Sequence, residues 1–237
     1  MRWHEECQKT LVGPHSYNFE TMGEHIVYNN FMDKRETLAA LEQEMRTDAS
    51  LQFQTNLVFG EGNPDCDVLF VGEAPGQNED IQKRPFVGRG GQLLRECIRG
   101  IGWKEADVYI TNIVKRRPPE NRDPLPEELA AYTPYLTRQI AIINPKIIVP
   151  LGRFSMNYFL PDAKITRDQG KPFHVEGRLV VPMFHPAAAL RATGVMQQFR
   201  EGFTKLPQII AGAVVPEVAA VPAVSRKEGP PPQKSLF

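Results

Sequence analysis

The chain has 237 residues, of which 41% are hydrophobic and 24% are charged, as in an ordinary globular protein. This composition excludes a wholly disordered chain, a collagen-like chain and a coiled coil. No apolar run approaches the roughly 20 residues that cross a bilayer, and the N-terminus has no apolar signal segment. The net charge is zero, and the three cysteines share no CxxC spacing, which favours a reducing cytosol over a disulfide framework or a thiolate zinc site.

Charge is distributed unevenly along this neutral chain. Residues 1–66 carry 5 Lys and Arg against 11 Asp and Glu, whereas residues 82–122 carry 10 against 4. The basic stretch is compatible with a phosphate-binding surface and equally with a mixed solvated one. Charge alone therefore leaves the partner open.

Apolar periodicity predicts strands that alternate with helices. Leu38, Leu41 and Met45 share one helical face, and DVLFVG is a short buried strand that ends in a glycine loop. The four proline residues of 116–126 predict an irregular loop. In chain order we expect a helix at 36–47, strand 67–72, helix 90–101, strand 108–114, helix 126–143, strand 146–152, helix 153–160, strand 179–184 and helix 197–210.

This order predicts an α/β fold, a three-layer α/β/α sandwich with a central, mostly parallel four-stranded sheet. We expect an N-terminal extension at 1–34, the α/β domain at 35–211 and a flexible Pro- and Ala-rich tail at 212–237. Ligands of open parallel sheets bind beyond the carboxyl ends of the strands. The segments to inspect are therefore those that follow the strands: GEAPG, TN, LG and FHP.

Three strand-end segments carry the functional signal. They are GEAPGQNEDIQKRPFVGRGGQLL (72–94), YITNIVKRRPPENRDPLPEE (109–128) and FHPAAALR (184–191). Each one alone also has a structural interpretation, as a turn, a cap or a loop histidine. In this order they resemble the family 4 uracil-DNA glycosylases, over about residues 36–210. The resemblance implies a monofunctional enzyme of base-excision repair, which hydrolyses the N-glycosidic bond of flipped-out deoxyuridine and leaves an abasic site.

The resemblance also implies roles for individual residues. Glu73, Ala74 and Gly76 would meet the base and the water. Phe86 would stack on uracil, although an ordinary core phenylalanine is the alternative. Asn112 would read the uracil edge, because an amide offers both a donor and an acceptor. His185 would bond uracil O2 and stabilise the departing anion, so that Glu73, Asn112 and His185 are the expected catalytic residues.

Further polar residues have less certain roles in the resemblance. Glu79 and Asp80 would orient water or serve a structural role, Asn121 would be a second polar residue near the site, and which carboxylate positions the water stays open. An apolar or basic residue of 187–193 would wedge into the duplex. The expected phosphate contacts are Arg89, Lys115, Arg116, Arg117, Arg122 and Arg191.

The chain departs from the family at its iron–sulfur cluster. Most members hold the cluster with four cysteines, and their positions fall here on Asp48, Leu51, Arg116 and Tyr132. A cluster needs about four thiolates. We therefore expect neither a cluster nor another metal, and apolar packing by Leu51, Phe53 and Tyr132 in its place.

The tail ends in QKSLF, which resembles the short peptides that dock on DNA polymerase sliding clamps. Gln233 and Ser235 would make polar contacts, and Leu236 and Phe237 would fill an apolar pocket. A Pro-rich tether would raise the effective concentration at DNA. A fortuitous tail is the alternative.

Two alternatives to a uracil glycosylase remain open. One is a non-catalytic uracil- or DNA-binding accessory protein of repair or replication, and the other is a glycosylase for another deaminated base. Loss of all four cluster cysteines favours the accessory protein, and retention of Asn112 and His185 disfavours it. We expect a monomer that acts on uracil-containing DNA in the cytoplasm, associated with the nucleoid, and has no membrane partner.

Overall fold

The computed structural model describes residues 33–51 and 53–212. The predicted N-terminal extension, apart from its last two residues, and the predicted clamp peptide at Gln233–Phe237 lie outside these described residues.

The described residues form one mixed sheet of six strands. The strands are β1 (Glu61–Gly62), β2 (Val68–Gly72), β3 (Val108–Asn112), β4 (Ile147–Pro150), β5 (Phe173–Val175) and β6 (Arg178–Val180), in the spatial order β1-β3-β2-β4-β6-β5. The four central strands β3, β2, β4 and β6 are parallel, as predicted.

Two short antiparallel edge strands extend the predicted four-stranded sheet to six. β1 has two residues and β5 has three, which is shorter than the roughly four to eight residues over which apolar alternation predicts a strand. They form because an edge of the central sheet offers unpaired backbone groups.

Within residues 33–51 and 53–212, eight α-helices accompany the sheet, and three of them are short helices that apolar periodicity did not predict: α2, α6 and α7. The helices are α1 (Lys34–Thr47), α2 (Gln77–Gln82), α3 (Arg89–Gly100), α4 (Pro126–Ile143), α5 (Arg153–Phe159), α6 (Ile165–Asp168), α7 (Pro186–Ala189) and α8 (Thr193–Ile210). Two 3-10 turns lie at Glu105–Asp107 and Pro119–Asn121. None of the helices in the described part of the chain is long and apolar enough to cross a membrane.

The helices cover both faces of the sheet, which confirms the α/β/α arrangement. Alternate residues of β2 separate the two cores, with Leu69 and Val71 facing one and Val68 and Phe70 facing the other. The first core contains α1, α4 and α5, and the second contains α3, α7 and α8. The strands are buried on both faces, as parallel strands are, and the carboxyl ends of β2, β3 and β4 meet at one edge.

Candidate active site

Asn112 and Phe86 meet above Gly72 at the carboxyl end of the sheet. Gly72 and Asn112 are the last residues of β2 and β3 and pair with each other in register. A Cβ atom on Gly72 would overlap Asn112 Oδ1 and lie 2.5 Å from Phe86 Cζ. The absence of a side chain at residue 72 therefore makes room for an amide and an aromatic ring side by side.

The loop that carries Phe86 is fixed by a carboxylate. Phe86 has a φ of 53°, a left-handed conformation that is unfavourable for an aromatic residue. Glu79 Oε1 accepts the backbone N–H groups of Val87, at 2.9 Å, and Gly88, at 2.7 Å. These two hydrogen bonds give Glu79 a structural role, since its Oε1 already binds the backbone of the Phe86 loop.

Arg95 of α3 holds the same loop from the other side. Its Nε donates to the carbonyl of Phe86 at 3.1 Å, and its guanidinium also donates to the carbonyl of Pro85 at 3.0 Å. Ion pairs with Glu61 and Glu105 orient the guanidinium. The Phe86 ring is thus preorganised by charge-assisted bonds on both sides of the loop.

His185 faces Phe86 at the same edge of the sheet. The two ring centroids are 6.0 Å apart. His185 also packs on Gly152, which follows β4, and a Cβ atom there would lie 3.0 Å from the His185 Cβ. Gly152 has a φ of 90°, so both its conformation and the close approach of the histidine require glycine.

The tautomer of His185 follows from its position as the N-cap of α7. Its Nδ1 accepts the backbone N–H of Ala187 at 3.2 Å. The proton of the neutral ring is therefore on Nε2, the nitrogen available to a ligand. Burial lowers the pKa of His185 to about 4, against a smaller opposing influence of Glu79. At neutral pH the residue is a neutral hydrogen-bond donor.

Glu73 directly follows β2 and is half-buried. Burial is the main cause that raises the pKa of its carboxyl to about 7, Asp123 raises it further, and Arg153 opposes both. Its backbone carbonyl accepts the N–H of Val114 at 3.0 Å, which ties the loop after β2 to the segment after β3. A carboxyl that titrates near neutrality at a strand end is suited to proton or water chemistry.

The other predicted site residues of the segment after β2 make structural contacts. Ala74 packs against the core that contains α1 and α4, and Gly76 is the N-cap of α2. Asp80 Oδ1 accepts the backbone N–H of Asn56 at 2.8 Å. Asp80 therefore has a structural contact, which joins α2 to the segment before β1.

The candidate phosphate contacts divide into free and engaged residues. Arg89 and Arg191 are exposed, and the adjacent Gly90 approaches the Pro186–Ala187 bond, so Arg89 lies beside the His185 loop. Arg117 Nε donates to Asn121 Oδ1 at 2.7 Å, and Asn121 is exposed. Two others are engaged within the protein: Arg116 with the carbonyl of Thr55, and Arg122 with Glu128.

The expected phosphate contact of Lys115 is wrong. Its side chain is 0% exposed, and its amine lies in the interior. A basic run, KRR, suggested a surface, but the first of its three residues turns inward beneath β3. DNA cannot reach this amine in the folded protein.

The positions of the family's cluster ligands do not fit an iron–sulfur cluster. Arg116 is a cation and Tyr132 is a fully buried phenol, and neither replaces a thiolate ligand. Cys66 and Cys97 are buried elsewhere, in opposite cores. Among residues 33–51 and 53–212, no group of three or more His, Cys, Asp or Glu side chains is placed to bind a metal ion.

Two residues that hydrogen-bond the backbone around the site were not predicted from the sequence. Arg95 and Gln139 lie on helices, where charged or amide side chains usually indicate a solvent face. Arg95 instead binds the Phe86 loop, and Gln139 is fully buried against the carbonyl of Phe59. The sequence did offer one signal for Gln139, which lies three residues after Leu136 and four before Ile143 and so on the buried face of α4.

Comparison with known proteins agrees with this geometry. The model of the uracil DNA glycosylase superfamily matches residues 59–206. A type-4 uracil-DNA glycosylase of Sulfurisphaera tokodaii is 47% identical over 168 residues, which cover 67% of this chain and 76% of the relative. One of Thermotoga maritima is 50% identical over 141 residues, or 58% of this chain and 73% of the relative. A DNA polymerase of Bacillus phage SP01 is 31% identical over 174 residues, or 73% of this chain but 19% of the polymerase.

Proposed function

The chain belongs to the uracil-DNA glycosylase superfamily and, within it, to the type-4 enzymes, and from this premise we propose that it is a monofunctional uracil-DNA glycosylase of base-excision repair. The observation that carries the proposal is the convergence of Phe86, Asn112 and His185 at the ends of the strands. Water adds to C1′ of deoxyuridine, and the N1–C1′ bond breaks with its electron pair going to the base. The products are free uracil and an abasic site.

Phe86 and Asn112 recognise the flipped base in this proposal. The Phe86 ring offers a flat apolar face, and the Asn112 amide beside it offers one donor and one acceptor. Uracil presents O4 as an acceptor and N3–H as a donor, so both bonds form. Cytosine reverses the pattern, so an amide held in the orientation that fits uracil leaves both of its groups unpaired, which disfavours cytosine.

His185 stabilises the leaving group. Its neutral ring carries the proton on Nε2, and this N–H donates to the oxygen of uracil on which negative charge develops. A neutral donor is sufficient, because the bond strengthens as the charge grows. The N-cap bond to Ala187 holds the ring in place before the substrate arrives.

Glu73 is the carboxylate that we assign to the water and to the positive charge on the sugar. Glu79 and Asp80 are engaged by backbone N–H groups, whereas the described residues give the Glu73 carboxylate no hydrogen-bond partner. Its ionised form can accept a proton from the attacking water. The ionised form also offsets charge on the sugar in the transition state.

DNA binds across the face where the site opens. Arg89 and Arg191 flank the His185 loop and contact phosphates on either side of the flipped nucleotide. Leu190 is 38% exposed and lies between Ala189, which is buried, and Arg191, which is exposed. We assign it as the wedge, since an apolar side chain in the vacated base position offsets part of the unstacking cost.

The enzyme works without an iron–sulfur cluster in this proposal. Glycosidic hydrolysis requires no redox chemistry, and the cluster positions are filled by packing and polar contacts of the chain itself. Protein purified under iron supplementation should contain less than one iron per chain and retain its full activity after chelation. A stoichiometric iron content that is lost together with activity would contradict this.

The remaining assignments concern partners and location. We propose a monomer that works in the cytoplasm on nucleoid DNA and docks on a sliding clamp through Gln233, Ser235, Leu236 and Phe237. The match to part of a phage DNA polymerase supports a place near replication. Deletion of residues 233–237 should abolish clamp binding and leave cleavage of a free oligonucleotide unchanged; retained clamp binding would reject the peptide.

The test of the activity uses labelled oligonucleotides with one uracil, single-stranded or opposite G or A, followed by alkali cleavage. Wild type should cleave, and Asn112→Ala should lower kcat/KM by roughly 100-fold or more. Asn56→Ala is the matched control, because the side-chain amide of Asn56 is exposed and, among the described residues, only its backbone N–H is hydrogen-bonded.

Three results would overturn the proposal in different directions. Binding of uracil-containing DNA without cleavage would support a non-catalytic accessory protein. Cleavage of hypoxanthine or another deaminated base, with uracil left intact, would support a different specificity. Equal activity of Asn112→Ala and Asn56→Ala would reject the assigned site.

A further inference from the structure

Lys115 places a completely buried amine directly beneath the site. Its Nζ lies 2.7 Å from the backbone carbonyl of Asn112 and 2.5 Å from both Thr111 Oγ1 and Gln139 Oε1. The side chain is 0% exposed. Two of its three partners are the last two residues of β3, so the amine holds the end of the strand that presents Asn112.

The groups around the amine all face it with acceptor atoms. The Thr111 hydroxyl donates its proton to the carbonyl of Phe59 at 2.8 Å, so its oxygen accepts from Lys115. Gln139 faces Lys115 with its carbonyl oxygen and directs its amide N–H groups to Phe59 and Tyr109. All three neighbours of Nζ are therefore acceptors: an ammonium satisfies all three, and a neutral amine, with two N–H groups, satisfies two of them.

Burial of this amine lowers the stability of the folded protein. No carboxylate of the described residues lies within ion-pair distance of Lys115, and burial holds the pKa of the amine well below its usual range. Burying an uncompensated cation disfavours the folded state. A shorter apolar side chain would fill the same interior without that cost.

We propose that Lys115 is a positioning residue for uracil recognition, which fixes the backbone of Asn112 through its carbonyl so that the amide side chain points at the base. The inference rests on the proposed glycosylase activity. Lys115 acts through Asn112 and not on the substrate, because the whole side chain is enclosed by protein. Its effect on catalysis should therefore vanish when the Asn112 amide is absent.

A double-mutant cycle tests this dependence. Lys115→Met keeps an unbranched apolar side chain of similar length and removes the N–H groups of the amine. It should lower kcat/KM on uracil-DNA by roughly 10- to 100-fold, and the Lys115→Met/Asn112→Ala variant should be no slower than Asn112→Ala alone. Lys146→Met, at an exposed surface lysine that pairs with Asp67, is the control and should match wild type.

A second cycle guards against misfolding of Lys115→Met. Thr111→Val keeps the shape of residue 111, removes one acceptor of the amine, and should reduce kcat/KM by a smaller factor that also disappears in combination with Asn112→Ala. Multiplicative losses in both cycles would overturn the inference, as would wild-type activity of a folded Lys115→Met. Absence of cleavage by wild type would instead count against the glycosylase proposal itself.

Discussion

The hydroxyl of Tyr135 on α4 donates a hydrogen bond, at 2.5 Å, to the carboxylate of Asp48 at the end of α1. Asp48 is one of the four positions to which the family resemblance assigns the cluster cysteines. An ion pair between Arg138 and Glu44, at 2.6 and 2.7 Å, joins the same two helices. Polar contacts between α1 and α4, together with the apolar packing of Leu51 and Tyr132, thus connect the segments that the family ties with iron and sulfur.

Removing the Tyr135 hydroxyl should loosen this connection. We expect Tyr135→Phe to lower the free energy of unfolding by about 1 kcal/mol, since one hydrogen bond is lost and the ring remains packed. Chemical denaturation measures the change. Tyr158→Phe is the control, because its hydroxyl only meets Thr137 at 3.3 Å on the surface and its loss should cost less than about 0.5 kcal/mol. Equal stability of the two variants would show that the Tyr135–Asp48 bond is not a structural tie.

His185 should make stability depend on pH in the acid range. Its pKa is about 4 in the folded protein against an ordinary value of 6.5, because burial disfavours the charged ring. The unfolded chain therefore binds a proton between these values that the folded chain does not. The contribution is fully present above pH 6.5 and is lost as the pH falls towards 4.

Thermal melts across this pH range measure the effect. His185→Ala should flatten the decline of Tm, whereas His174→Ala, at the exposed histidine of β5, should keep it. Identical declines in wild type and His185→Ala would mean that the ring is not held neutral by burial.

Glu73 should make activity depend on pH near neutrality. Burial raises the pKa of its carboxyl to about 7, so the ionised form increases as the pH rises through that value. We expect kcat/KM to rise with it, and Glu73→Gln to remove the transition and lower the rate at pH 8 by roughly 100-fold. Single-turnover rates from pH 6 to 9 measure both effects.

Glu176→Gln, at an exposed carboxyl in the turn between β5 and β6, should leave the transition in place. A transition near neutrality that persists in Glu73→Gln would transfer the titrating role to another group.

Gly72 should be intolerant of even one methyl group. Gly72→Ala places a Cβ where the Asn112 oxygen and the Phe86 ring meet, so one of the two must shift. Displacing packed groups costs about 1–3 kcal/mol, and we expect kcat/KM to fall by at least about 10-fold. The matched control is Gly100→Ala at the end of α3, where a Cβ atom meets nothing within 4 Å. Wild-type kinetics of Gly72→Ala would disprove the tight contact.

The amino-acid sequence by itself determined the four central parallel strands, the principal helices and the family. These follow from local properties: apolar runs of strand length, helical spacing of Leu and Ile, and strand-end segments in a specific order. It also indicated that Asn112 and His185 belong to one edge, because carboxyl ends of neighbouring parallel strands meet there. The role of Phe86 came from the family resemblance.

Only the tertiary structure decided what these side chains do for one another. Lys115 and Arg116 are adjacent in a basic run, yet one is enclosed beneath β3 and the other reaches the carbonyl of Thr55. Glu73 precedes α2 and Glu79 lies within it, yet backbone N–H groups engage Glu79, while burial raises the pKa of Glu73. Such differences arise from contacts between residues distant in the chain, which composition and periodicity do not encode.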